Sequence, residues 1–170
     1  MEILIRKAKN GDPKAFEELM REQIQMMYKA AKSILKADED VADAVQDTIL
    51  CCWEKLGQLR EVRYFKTWLT RILINKCNDV IKHKKEFMLN NQLQNVAVIH
   101  REYENVEWNE MLKLLDEKYR LVIMLYYVEG FKTSEISQIL DMPEATVRTR
   151  LARGRDKLAD MYEIRTERRG

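Results

Sequence analysis

Apolar residues recur every three or four positions along most of this 170-residue chain, a spacing that lines up one side of an α-helix and that a half-buried β-strand cannot use. Only 5 Gly and 2 Pro interrupt it, so long helices are the default and the pattern predicts an all-α protein. The longest stripe runs through Phe16, Leu19, Met20, Ile24, Met27, Ala31 and Leu35. Ahead of it, Ile3, Leu4 and Ala8 mark a shorter helix stopped by Asn10-Gly11. Asp12-Pro13 then restarts the chain: the Asp side chain accepts from exposed amides, and Pro takes a first-turn position whose amide needs no partner. A third helix is expected from Asp38 to Leu56, with Ala42, Val45, Ile49, Trp53 and Leu56 turned inward and Gly57 ending it. After the basic connection GQLREVRY, the residues Phe65, Trp68, Leu69, Ile72, Cys77, Val80 and Ile81 mark a fourth. Such helices suffice for a compact bundle.

The pattern weakens at Glu86 and resumes at Trp108. Two small helical domains joined by a linker are therefore expected, with boundaries 1–85, 86–108 and 109–170, and with Val96 to Ile99 compatible with a short packed element inside the linker. In the second domain Met111, Leu112 and Leu115 suggest one helix, and Val122, Ile123, Tyr126 and Tyr127 another that stops near Gly130. Thr133 can cap a helix from Ser134 to Leu140. Asp141-Met142-Pro143 then makes a tight break before a last helix from Ala145 to Met161. Two helices so closely joined suggest a helix-turn-helix, although ordinary αα-hairpins use the same lengths.

Several classes of function find no support. No apolar run approaches the roughly 20 residues that span a bilayer, and the first residues lack the core of a signal peptide, so the cytoplasm is the expected compartment. Cys51, Cys52 and Cys77 have no metal spacing, and His83 and His100 stand alone. No nucleophile–base pair accompanies them, so neither an enzyme nor a cofactor is expected.

A net charge of +2 says little by itself, but the charges cluster. Lys36 to Glu54 holds six acids and one base, whereas Arg60 to Glu86 holds eight bases and three acids. The first stretch repels phosphate and the second attracts it. In the acidic helix Asp43 and Asp47 share a face with Gln46 beside them, as suits a protein-docking surface or a solvated first turn. The basic stretch offers Arg60, Arg63, Tyr64, Trp68, Asn75, Lys76, Asp79, Lys82 and Lys84 to opened DNA, with aromatics for bases and cations for phosphate. Phe65, Tyr64 and Trp68 also suit core packing. The expected helical register sets Asn75, Lys76 and Asp79 away from the face of Trp68, Leu69 and Ile72.

The last helix is the most specific feature. Val147, Leu151 and Leu158 should face inward, with Gly154 allowing close approach. Thr146, Thr149, Arg150 and Arg153 project on another face, and Arg148 and Arg155 add charge. Five bases between Arg148 and Lys157, on a helix that follows a tight turn, point to duplex DNA, with Thr133 at the neighbouring helix start. A dimeric helix-turn-helix regulator and a protein-interaction adaptor are also open to such a chain.

Over nearly its whole length the chain resembles the extracytoplasmic-function branch of the sigma-70 family. DPKAFEELM, DVADAVQDTILCCWEKL and FKTWLTRILINKCNDVIKHKK are similar to the family's region 2, and GFKTSEISQILDMPEATVRTRLARGRDKL to its region 4, in the family's order. The resemblance implies a sigma factor that directs core RNA polymerase to promoter DNA and assists its melting. It places Asp43, Gln46 and Asp47 on the coiled-coil clamp of the largest polymerase subunit. Gly57 to Tyr64 would receive a flipped base of the −10 element, Trp68, Asn75 and Asp79 would contact that element once opened, and Thr146 to Arg153 would enter the major groove at −35. Regions 1.1 and 3 of a housekeeping member are expected to be absent, and the short form implies an anti-sigma partner, often membrane-anchored. The chain departs from the pattern where Asp141 and Ala145 replace Gly, Gly154 and Ser137 replace Ala, and His83-Lys84 stands at a usual Arg. Asp141 is expected to adopt the left-handed conformation.

Overall fold

The computed structural model describes residues 1–91, 112 and 114–167, and every element among them is helical. The chain divides into two compact units, residues 1–98 and 99–170.

The first unit begins with α1 (Glu2–Lys9), and Gly11 follows its cap with φ +87°. Asp12 Oδ1 then accepts from the amides of Lys14 (3.0 Å) and Ala15 (3.2 Å), so the expected cap opens α2 (Pro13–Lys32). Helices α3 (Asp38–Lys55) and α4 (Phe65–Asn91) complete a bundle whose core is built on Leu19, Met27, Leu56, Phe65, Leu69 and Leu73. Two 3-10 turns, Leu56–Gln58 and Val62–Tyr64, carry the connection between them. The buried hydroxyls of Thr48 and Thr70 donate to carbonyls one turn back, Ala44 O (2.6 Å) and Lys66 O (2.8 Å), which removes the cost of burying them.

Several inward-facing expectations need correction. In α1, Ile5 and Ala8 are buried while Ile3 is exposed, and in α2 Ile24 is exposed. In α3 the buried residues are Val41, Ala44, Val45, Thr48 and Cys52, and Ala42 and Trp53 are exposed. Small residues explain the last case: Ala, Thr and Cys make the inner stripe, so large apolar side chains alone mark the wrong register. Trp53 instead sets its ring edge-on against Phe16, with centroids 4.8 Å apart. Helix α4 also runs beyond the expected boundary at residue 85, because Glu86 to Asn91 contains no Gly or Pro to stop it. The remainder of the expected linker, with Val96 to Ile99 and Trp108, lies outside the described residues, as does Met111 of the second domain.

In the second unit α5 (Glu117–Ile123) continues into a wider π turn at Met124–Val128, and Gly130 follows with φ +72°. Helix α6 (Thr133–Leu140) and helix α7 (Glu144–Glu167) are joined by three residues, as a helix-turn-helix requires. Leu115, Ile123, Leu125, Ile136, Ile139 and Val147 form the core. Asp141 adopts φ 51°, ψ 51°, the left-handed conformation expected at this turn. Thr133 does not cap α6. The amide of Lys132 instead donates to Glu135 Oε2 (2.8 Å), and the Thr133 hydroxyl turns to the start of α7.

Candidate nucleic-acid interface

Helix α3 keeps its buried stripe toward α2 and α4, which leaves Asp43, Gln46 and Asp47 exposed together on the far side. Neither carboxylate pairs with a cation among the described residues. Leu50, one turn further along, is 58% exposed, so the face combines negative charge with an apolar side chain that burial in this unit does not use.

On α4 the register differs from the expectation. Trp68, Ile72, Asn75 and Asp79 are separated by four, three and four residues, so they form one row, and the core face belongs to Leu69, Leu73 and Cys77. Asn75 and Asp79 are exposed, while Trp68 is half-buried and leans on Phe65 with ring centroids 6.3 Å apart. Arg71, which the sequence reading passed over, is exposed three residues after Trp68 and four before Asn75, and Lys82 is exposed seven after Asn75. Lys76 is half-buried at the edge of this row. Lys84 is elsewhere: about 160° round the helix from Trp68, its Nζ donates to Asp40 Oδ2 on α3 at 2.5 Å.

The connection before α4 carries Arg60, Arg63 and Tyr64, all exposed. Arg63 lies over the Tyr64 ring at 4.8 Å and pairs with Glu61 at 2.8 Å. Beside it, a cleft of about 580 Å³ opens between this connection and α1, with Arg6, Lys9 and Asn10 on one wall and Arg60, Glu61 and Arg63 on the other. Lys9 Nζ donates to Leu59 O at 2.5 Å and ties the walls together.

In the second unit α7 buries Val147, Leu151, Gly154 and Leu158 and exposes Arg148, Thr149, Arg153 and Arg155, with Thr146 and Arg150 half-buried. The Thr149 hydroxyl donates to Ala145 O (2.9 Å) within its own helix. Glu144 is a residue the sequence reading missed. Its Oε1 accepts from Thr133 Oγ1 (2.5 Å) and from Arg148 Nη2 (2.8 Å), so two expected DNA contacts meet at one carboxylate. The Thr133 hydroxyl, and then Arg148, hold that carboxyl below its ordinary range. The i, i+4 spacing of Glu144 and Arg148 was the available sequence signal.

Among the described residues no His, Cys, Asp and Glu cluster is placed to hold a metal, and no helix is long and apolar enough to cross a membrane.

Residues 10–87 match the family model for Sigma-70 region 2, and residues 106–158 the model for Sigma-70, region 4. The chain is 30% identical to the ECF RNA polymerase sigma factor SigW of Bacillus subtilis, over 93% of this chain and 96% of that protein. It is 26% identical to the RNA polymerase sigma factor CnrH of Cupriavidus metallidurans, over 97% and 95%. The solved structure of CnrH in complex with the cytosolic domain of CnrY superposes with a TM-score of 0.71 at 28% identity, covering 96% of this chain and 97% of that one. The sigma factor RpoE of Bartonella quintana, solved with the anti-sigma factor NepR, gives a TM-score of 0.75 at 21% identity, over 89% and 98%, and supports the fold.

Proposed function

The chain belongs to the sigma-70 family, in its extracytoplasmic-function branch, as a factor for promoter-specific transcription initiation, and from that premise we propose how its surfaces divide the work. The acidic face of α3, with Asp43, Gln46 and Asp47, docks on core polymerase. The row on α4, with Trp68, Arg71, Asn75, Asp79 and Lys82, together with Arg60, Arg63 and Tyr64, holds the opened −10 strand. The exposed side of α7 reads the −35 duplex. Residues 1–85 and 109–170 act as the two functional domains, and residues 86–108 connect them across the polymerase.

The mechanism is non-catalytic. Local unpairing costs a few kcal/mol, and contacts that exist only with a single strand offset it. An aromatic such as Trp68 or Tyr64 stacks on a base, Asn75 can both donate to and accept from a base edge, and the cations hold phosphate. Polymerase supplies the nucleotide chemistry, which places the protein in the cytoplasm. CnrH and RpoE were each solved with a protein partner, which supports an anti-sigma partner for this chain, membrane-anchored or soluble.

The observation that carries this reading is the row on α4: an exposed amide lies in line with an aromatic and is flanked by exposed Arg71 and Lys82, neither of which pairs with an acid among the described residues. Asn75→Ala in polymerase assembled with this chain should slow open-complex formation on a fully paired promoter and matter less for closed-complex formation. On a template already mismatched at −10, the defect in opening should shrink. An equal defect on both templates, with helical content unchanged, would overturn the strand-opening assignment. Binding of the free protein as a homodimer to a pseudopalindromic duplex, with no affinity for polymerase, would overturn the whole reading.

A further inference from the structure

Helix α7 begins with a negative charge on the element that should meet DNA. Glu144 is its first residue, and in helix-turn-helix proteins the N-terminal residues of the second helix face base edges. A carboxylate there repels phosphate, so an ordinary backbone-binding helix would do better without it. The fold nevertheless holds Glu144 in place from two sides, through Thr133 on α6 and Arg148 one turn along α7.

Both of these bonds fall on Oε1. Oε2 is left to accept from a further donor, and the side chain keeps 36% of its exposure. Arg148 is 69% exposed and uses Nη2 on Glu144, so its other N–H groups remain for an acceptor. The pair therefore presents an acceptor and a fan of donors side by side, with both side chains held in one geometry.

We propose that Glu144 and Arg148 form a single base-reading unit for the −35 element, in which Glu144 accepts from the amino group of a cytosine and Arg148 donates to a neighbouring guanine. The pairing follows from donor and acceptor patterns in the major groove: carboxylates accept from cytosine N4, and Arg donates to guanine O6 and N7. Thr133 fixes the carboxylate from the other helix. A carboxyl is ionised at neutral pH, so Glu144 acts as an acceptor only. The same pair also restrains Arg148 from moving to a phosphate, which lowers affinity for unrelated sequence.

This inference rests on the assignment of α7 to the −35 element, and one experiment separates the two. Polymerase assembled with the full chain selects from a duplex library randomised across −35, and the free chain is titrated with salt on a scrambled duplex. Wild type should enrich cytosine over other bases at one position by about fivefold or more. Glu144→Ala should flatten that position, leave the others, and steepen the salt dependence on scrambled duplex by about one unit as Arg148 takes a phosphate. Glu144→Gln should shift the position toward adenine, which Gln reads. Thr133→Ala removes one of the two bonds that hold Glu144 and leaves the one from Arg148, so it should weaken the cytosine preference by less than Glu144→Ala does. If Thr133→Ala flattens the position as fully as Glu144→Ala does, the carboxylate acts only as an interhelical clasp and the inference is overturned. Unchanged enrichment in Glu144→Ala overturns it as well. No enrichment at any position by wild type would remove the −35 assignment itself.

Discussion

A Cβ added to Gly154 would stand 2.9 Å from Cγ1 and 3.2 Å from Cδ1 of Ile123, so α5 and α7 touch at a point where only glycine fits. Cγ1 is the near end of a β-branched, fully buried side chain, which cannot swing away as a long flexible one could. Gly154→Ala gains helix propensity of about 1 kcal/mol, but overpacking costs about 1–3 kcal/mol, so net destabilisation of about 1 kcal/mol is expected. In a double-mutant cycle with Ile123→Ala, which removes both Cγ1 and Cδ1, the two changes should couple favourably by about 0.5 kcal/mol or more. Thermal melts followed by circular dichroism test this. Simple additivity would show that the contact relaxes freely.

The docking face of α3 has a different signature, because Asp43 and Asp47 are exposed and make no ion pair among the described residues. Asp43→Lys with Asp47→Lys should leave the melting temperature within a degree or two and weaken association with core polymerase about tenfold or more. The loss should appear chiefly in the association rate and shrink at high salt. A titration that finds unchanged affinity would rule out this face as the polymerase contact.

Lys82 and Lys84 differ by two residues and should differ in role. Lys82 is exposed on the side of Asn75, whereas Lys84 is held by Asp40, whose side chain is 17% exposed. Lys82→Met should lower the salt slope of binding to a −10 single strand by about 0.7. Lys84→Met should leave that slope alone and cost about 1 kcal/mol of stability, a partly exposed ion pair being worth little. Equal slopes for the two variants would contradict the separation.

The difference between these lysines shows what the sequence could and could not reveal. Helix content, the Asp12 cap and the Asp141 turn were legible because each depends on local chemistry: period, a side-chain acceptor, and tolerance of positive φ. The register of α4 was not, since Trp68 and Ile72 look like core residues until Leu69, Leu73 and Cys77 are seen to fill the core. Similarly, the contacts Lys84–Asp40 and Thr133–Glu144 join residues distant in sequence, and charge counts over a segment cannot separate an occupied cation from a free one. The acidic face of α3 was legible for the opposite reason, as it depends only on the spacing of exposed side chains along one helix.

Buried thiols offer a test of the first unit that is independent of DNA. Burial pushes the Cys52 and Cys77 thiols up to about 12, while Cys51 is only half-buried. At pH 8 a thiol reagent should therefore label Cys51 first and reach Cys52 and Cys77 only through unfolding. The sign of the pH effect follows: the folded chain keeps these two thiols protonated while the unfolded chain ionises near 9, so stability is full below pH 9 and falls as pH rises from 9 toward 12. Cys51→Ser should remove the fast-labelling site and leave the two slow ones. Three equal labelling rates in the folded protein would contradict the packing of α3 against α4.

On α7 the contacts with base and with phosphate should be separable. Arg153 follows Thr146 by seven residues and Thr149 by four, on the side opposite buried Val147 and Leu151, and it is exposed with no acid engaging it among the described residues. Arg155 lies 200° further round the helix, beyond that line. Arg153→Ala should cost about 1–3 kcal/mol on the preferred −35 duplex and much less on a scrambled one, because a base-edge contact is lost only where the base is right. Arg155→Ala should weaken both duplexes alike and lower the salt slope by about one unit, as the loss of a phosphate contact requires. Salt titrations of both variants on both duplexes, with helicity checked first, decide the matter. Equal losses on the two duplexes for Arg153→Ala would move it to the phosphate class. Base reading by α7 would then rest on Arg150 and on the Glu144–Arg148 pair, whose cytosine preference does not depend on Arg153.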